Sequence, residues 1–180
     1  MKINKTFIED LLILEPHLFK DKRGFFYESY NKSNLDKITN IVFVQDNESK
    51  SYKGVIRGLH FQAPPFDQTK LVRCVSGKIL DVVVDIRTNS KTYGKSFSVK
   101  LSSENNKQLF IPKGFAHGFQ VLSDEAVVNY KVDNFYNSES ESGIIWNDKD
   151  LSIEWNLDIK PILSEKDLKL ISFKQLKSPF

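Results

Sequence analysis

Short apolar runs recur along this chain, each closed by a glycine, a proline or a polar cluster. That spacing predicts strands rather than long helices. Leu11–Leu14 predicts a first buried strand, stopped before Pro16, and Gly24–Tyr30 a second. The β-branched stretch Ile41–Gln45 predicts another. The same reading covers Val55–Gln62, Lys70–Val75, Ile79–Ile86, Phe97–Leu101, Gln108–Ile111, Phe115–Leu122 and Ala126–Val132. In Ile79–Ile86 the acids Asp81 and Asp85 share one parity and aliphatics fill the other, which predicts one wet face and one dry face. Ser76-Gly77-Lys78 and Tyr93-Gly94-Lys95 have the composition of hairpin turns. Helix is expected only at Ser33–Ile38, with Ser33 as N-cap, and after the capping pattern Ser164-Glu165-Lys166-Asp167. Lys177–Phe180 is expected to be loose. About ten short strands with turns between them indicate an all-β sandwich or barrel with a few short peripheral helices.

Composition narrows the partners. At 180 residues the chain is expected to form one domain, residues 1–180, with a core that needs no staples. A hydrophobic share of 40% beside 27% charged residues is that of an ordinary soluble protein, and no apolar run is long enough to span a bilayer. Met1–Lys5 is not followed by the apolar core of a signal peptide. The single cysteine, Cys74, excludes an internal disulfide and fits a reducing compartment, so a cytoplasmic location is expected. The net charge of +3 is spread among acids, which excludes a nucleic-acid stripe but leaves room to bind a phosphorylated small molecule. Fourteen Phe and six Tyr suit ring-lined pockets.

The chemistry concentrates in Arg57-Gly58-Leu59-His60-Phe61-Gln62, which holds one of only three histidines. A lone strand histidine is more often a core residue. Here Gln62 shares its face, so the face is polar. Strict alternation puts Arg57 on the opposite face, and a bulge at Gly58 would bring both to one side. His117 follows a turn in Ile111-Pro112-Lys113-Gly114-Phe115-Ala116-His117-Gly118-Phe119, a string that resembles the second motif of the cupin superfamily. Cupins are double-stranded β-helix jelly rolls, in keeping with the strand count. Many hold a metal through His-x-His and a nearby Glu. This chain has His60-Phe61-Gln62 instead, and two histidines fall short of the three ligands a catalytic metal wants, so no metal is expected. Tyr130 has inward parity and is either a packed core phenol or a proton donor. Asp167 is either the acid of a helix start or the partner of a histidine. Lys70 opens an otherwise apolar strand, where it could meet a developing oxyanion.

Taken together, the motifs resemble the dTDP-4-dehydrorhamnose 3,5-epimerase (RmlC) family of the cupin superfamily. They are Asp21-Lys22-Arg23-Gly24-Phe25-Phe26-Tyr27-Glu28, Phe43-Val44-Gln45-Asp46-Asn47, Arg57–Gln62, Lys70-Leu71-Val72-Arg73-Cys74, Pro112–Phe119 and Tyr130-Lys131. Gly143–Asp148, Ile153-Glu154-Trp155 and Leu163–Asp167 extend the likeness over nearly the whole chain. The resemblance implies a cofactor-independent and metal-free isomerase acting on a dTDP-4-keto-6-deoxyhexose. It implies His60 as base with Asp167 as its partner, Tyr130 as proton donor and Lys70 as stabiliser of the enolate. It places Arg23, Glu28, Gln45, Asp46, Asn47, Arg57, His117, Glu141 and Lys166 at substrate-binding positions, and Tyr136 as the ring stacked on thymine. It also implies a homodimer whose N-terminal strands complete each other's sites, so that Arg23 and Glu28 act in trans. Phe135, Asp133, Asn156 and the segment Ala63–Gln68 depart from the family's usual pattern. They leave open a C3-only epimerase of a related sugar. A metal-dependent cupin oxygenase and a non-catalytic sugar-nucleotide-binding cupin are the readings from other classes.

Overall fold

The computed structural model describes residues 1–180. Two antiparallel sheets form its body. One has six strands in the order β1 (Lys2–Lys5), β2 (Leu12–Glu15), β10 (Gln108–Ile111), β7 (Lys70–Ser76), β12 (Glu125–Val132) and β5 (Gln45–Tyr52). The other has five, ordered β13 (Glu141–Gly143), β6 (Ile56–Gln62), β11 (Phe115–Val121), β8 (Lys78–Asp85) and β9 (Ser96–Ser102). From β5 to β8 and again from β9 to β12, consecutive strands change sheet, so the chain winds around the core as a jelly roll. A separate hairpin, β3 (Phe19–Asp21) with β4 (Gly24–Phe26), leaves Phe19, Phe25 and Phe26 exposed.

Period-two alternation builds three apolar layers. Inward residues of both sheets, among them Val72, Val83, Leu101, Leu109, Phe119, Val121 and Val128, form the central core. Outward residues of the five-stranded sheet, including Ile56, Leu59, Val82, Val84 and Ala116, pack under the C-terminal segment with Trp155, Phe173 and Leu176. The short helix α1 (Lys32–Leu35) and the following chain cover the outer face of the six-stranded sheet at Leu14, Leu71 and Phe110.

Several expectations need correction. Ile41–Val44 is not a strand: Ile41 and Phe43 pack beneath α1, and pairing begins at Gln45. The polar run Gln45–Tyr52 becomes β5 because it is an edge strand, paired with β12 along its whole length. Gly24–Tyr30 is strand only as far as Phe26. The cap of α1 is Asn31, whose side chain accepts from the Asn34 amide, not Ser33. β8 has no wet face: it is interior to its sheet and covered on both sides, with Asp81 and Asp85 fully buried. Ser76-Gly77-Lys78 is a corner between sheets rather than a hairpin. Tyr93-Gly94-Lys95 does close the connection between the paired strands β8 and β9. The helix after Ser164 is only a 3-10 turn, Asp167–Lys169. The tail is not loose. Thr88 donates its backbone N–H to the Phe180 carbonyl at 2.9 Å, and the Phe180 ring meets Phe61 edge-on at 6.0 Å.

Between β6 and β11 the register slips. Arg57 pairs with Phe119 and His60 with His117, so two residues of β6 oppose Gly118 alone. Ile56 and Leu59 both face the outer core in consequence, and Arg57 and His60 both face inward. Glycines make the irregularity possible. Gly58 has φ +120°, and a Cβ there would lie 2.6 Å from the Gly118 Cα. A Cβ on Gly118 would lie 2.5 Å from the Arg57 carbonyl oxygen. Gly118→Ala is therefore expected to destabilise the fold by roughly 1–3 kcal/mol, as overpacking does. Urea unfolding measures it, and an unchanged midpoint would refute the tight approach.

Candidate active site

A cavity of about 600 Å³ opens between the inner faces of the two sheets. The five-stranded sheet contributes Arg57, His60, His117 and Phe119, and the six-stranded sheet contributes Asn47, Lys70 and Tyr130. The segment Ile162–Ser164 closes the rim with Lys166 and Asp167. A smaller recess of about 300 Å³ continues past Gln45, Gln62, Tyr136 and Glu141 and shares Asn47, His60, Lys70 and Tyr130 with the first.

The Nε2 of His60 lies 2.6 Å from Oδ1 of Asp167, across 107 positions of sequence. Local structure sets Asp167 there. Ile162 bridges to Val55 beside the start of β6, and Ile171 bridges to Ile144. The turn between carries Asp167, whose amide donates to Ser164 Oγ at 3.1 Å. Burial pushes the Asp167 carboxyl up. The hydrogen bond and charge of His60, the Ser164 hydroxyl and the Gly58 N–H outweigh it and hold the carboxyl below its ordinary range. An ionised carboxylate only accepts, so the hydrogen lies on Nε2 and the lone pair is left on Nδ1. The arrangement is that of an oriented general base.

On the same sheet His117 places Nε2 3.0 and 3.1 Å from the two carboxylate oxygens of Asp81, a residue with no exposed surface. Residue-level reading missed Asp81, because its parity suggested a solvent-facing acid. A signal was present: Asp81 shares its parity with Val83, which lies in the central core. Lys70, on the facing sheet, has its ammonium pushed down to about 8 by burial, against the pull of the Asp81 and Glu141 carboxylates. Burial likewise pushes the Tyr130 phenol up, with Arg57 opposing, so it stays protonated at neutral pH. Its hydroxyl makes no hydrogen bond within the chain and can be offered to a ligand.

The other anticipated residues divide. Arg57 lines the cavity, with its Nε donating to Ser51 Oγ at 3.0 Å. Gln45 and Asn47 face inward, linked at 2.8 Å, whereas Asp46 points to the other face of β5 and pairs with Lys131 at 2.7 Å. Tyr136 is half exposed and donates its hydroxyl to Glu141 Oε2 at 2.7 Å; Lys166 pairs with the same oxygen. Gln62 accepts from the Asn137 amide and donates to the Phe66 and Phe135 carbonyls, which fixes the loop bearing Tyr136. Glu141 comes into reach on β13, a polar strand with no apolar signature in the sequence. Arg23 and Glu28 stay outside the cavity. Arg23 pairs with Asp21 at the exposed hairpin tip, and Glu28 accepts from Asn31 in a recess under α1. No three His, Cys, Asp or Glu residues gather where they could hold a metal ion.

The sequence model described as dTDP-4-dehydrorhamnose 3,5-epimerase matches residues 5–175. The chain belongs to that family. It is thus an isomerase with a cupin-type jelly roll. The dTDP-4-dehydrorhamnose 3,5-epimerase of Shigella flexneri is 55% identical over 170 residues, covering 93% of either chain. The crystal structure of the Elizabethkingia anophelis enzyme superposes with a TM-score of 0.92 at 51% identity, over 99% of this chain and 98% of that one. The epimerase of Legionella pneumophila, solved in complex with dTDP-4-keto-L-rhamnose, gives a TM-score of 0.94 at 44% identity over 98% and 94%. No helix of the epimerase is long and apolar enough to cross a membrane.

Lys70 carries a measurable cost in this epimerase. Its folded pKa of about 8 lies below the ordinary 10.5. Between those values the unfolded chain binds the extra proton, so this residue makes stability rise with pH across the window; below about pH 8 the full penalty remains. Lys70→Met is expected to raise stability at pH 7 by ~1–3 kcal/mol and to lose that advantage by pH 10.5. Thermal unfolding at the two pH values decides; a lower Tm at pH 7 contradicts the buried-cation reading.

Proposed function

We propose that the chain inverts C3 and C5 of dTDP-4-dehydro-6-deoxyglucose to give dTDP-4-dehydrorhamnose, using no metal or redox cofactor. The observation that carries this reading is a His60–Asp167 dyad and a protonated Tyr130 on facing sheets of one cavity that Lys70 also lines. The 4-keto group of such a sugar acidifies the hydrogens on both neighbouring carbons. His60 takes one, becoming an imidazolium that Asp167 stabilises. The electron pair moves onto the ketone oxygen, where the Lys70 ammonium stabilises the enolate in a site partly closed to water. His117, held by Asp81, offers a further polar contact with the substrate. Tyr130 then protonates the same carbon from the other face, and the configuration inverts. Arg57 beside Tyr130 favours the phenolate that results. Because a ketone is already present, acid–base chemistry is sufficient.

In this reading Arg57, Gln45, Asn47 and Lys166 bind the nucleotide sugar, Glu141 holds Tyr136 and Lys166 in place, and Tyr136 stacks on the thymine. The chain acts as one jelly-roll domain, in the cytoplasm, as a homodimer. The exposed aromatic hairpin carries Arg23, and the chain after it Glu28, into the partner's site; Asp46 contributes through Lys131 rather than by touching substrate.

Incubation with dTDP-4-keto-6-deoxyglucose in D₂O, followed by NMR, tests the chemistry. Deuterium is expected at both C3 and C5, and incorporation at C3 alone would reduce the enzyme to a monoepimerase. His60→Ala is expected to lower the exchange rate by about 10²–10⁴-fold with chelators having no effect on the parent; an unchanged rate would leave only a binding protein.

Sharing of sites between subunits predicts complementation. Arg23→Ala and His60→Ala chains, each inactive alone, are expected to regain about a quarter of parental activity when refolded together in equal amounts, because half the dimers then carry one intact site. No recovery would place Arg23 and His60 in the same chain's site.

A further inference from the structure

The cavity side of β5 presents a row of polar residues: Gln45, Asn47, Ser49 and Ser51. Three of them are engaged. Gln45 donates to Asn47, and Ser51 accepts from the Arg57 Nε. Ser49 is different. Its Oγ is buried and makes no hydrogen bond within the protein, and no other buried side-chain oxygen or nitrogen is in that state. The residue lines the same cavity as Arg57, His60 and Tyr130. Its register partner on β12 is Val128, a member of the central core. An alanine there would pack as well and would leave no polar atom unpaired. Buried polar groups in folded proteins are otherwise matched, so a hydroxyl in this place calls for a partner that arrives from outside.

Arg57 identifies where that partner sits. Ser51 holds the guanidinium by Nε, and its two terminal nitrogens make no bond in the protein. Arg57 reaches across from β6 to Ser51, two positions along β5 from Ser49, so its free nitrogens and the Ser49 hydroxyl line one cavity, a donor set suited to an oxygen-rich, negatively polarised group. We propose that Ser49 is a substrate-binding residue that donates its hydroxyl proton to an oxygen of the nucleotide sugar beside Arg57. The inference rests on the epimerase reading for the identity of the ligand. The oxygen belongs either to the pyrophosphate or to the sugar ring, and the test separates these.

Ser49→Ala is the variant to make. Its KM is expected to rise about ten-fold with kcat within about two-fold of the parent, the pattern of a lost contact made equally in ground and transition states. The unliganded variant is expected to unfold at the parental temperature or above, since an unpaired buried hydroxyl has been removed. Calorimetric titration with dTDP and with dTDP-rhamnose assigns the oxygen. Weaker binding of both ligands points to the pyrophosphate, and weaker binding of dTDP-rhamnose alone points to the sugar. Unchanged affinity for both would overturn the proposal. So would a variant that unfolds several degrees lower or fails to fold, because the hydroxyl would then be structural. These titrations need no turnover. A parent that binds but does not exchange C3 or C5 protons would refute the epimerase reading and leave the Ser49 assignment to be judged on affinity alone.

Discussion

The close approach of β6 to β11 at Gly58 and Gly118 governs the site. A strand of strict alternation would show either Arg57 or His60 to the cavity, never both. One extra residue on β6 restores them to the same side, and only a pair of residues without Cβ atoms lets the backbones come that near. The same slip turns Leu59 outward into the second core, so the lining of the cavity and the packing behind it are set by one irregularity. His117 stands directly opposite His60 across it. The two imidazoles are therefore brought together by backbone pairing, and each is then oriented by a carboxylate from elsewhere.

Those carboxylates illustrate how the fold prepares charge in a mostly apolar setting. Asp81 is wholly buried on β8, and Asp167 nearly so on its turn. Each is met by a histidine, His117 at Asp81 and His60 at Asp167, and Asp167 also accepts from the Ser164 hydroxyl and the Gly58 N–H. Lys70 is less well compensated, which is why its ammonium is pushed down to about 8. A cation kept short of partners is a poor contributor to stability, and the proposed chemistry is what would give it a use, in holding a transient enolate. The unpaired hydroxyl of Ser49 belongs to the same pattern: groups left without full compensation line this one cavity.

Order along the chain and order in space diverge most at the C-terminus. From Trp146 onward the chain has little regular structure, yet it is fastened closely. Trp155 Nε1 donates to the Trp146 carbonyl at 2.7 Å, Asp148 accepts from the Phe173 amide at 2.7 Å, and Phe180 ends against Phe61. This strap covers the outer face of β6, directly behind His60, and its bridges to Val55 and Ile144 set the depth of Asp167. Many short contacts replace a helix in holding one carboxylate.

Strands with strong apolar periodicity were legible from the sequence, because burial of one or both faces imposes the pattern directly. β7, β8, β10, β11 and β12 lie within a residue or two of where that pattern puts them. The linear motifs around His60 and His117 also specified the family, since each packs several functional residues into one strand. What the sequence could not decide depends on partners remote in the chain. β5 and β13 are polar and become strands only because β12 and β6 offer them an edge. Asp81 is inside because β8 is covered on both faces, which alternation alone cannot reveal. The contact of Asp167 with His60 closes a loop of 107 positions, and nothing local to either residue encodes it. Short-range pattern fixes which side of its own strand a residue occupies; only the assembled sheets determine what lies on that side.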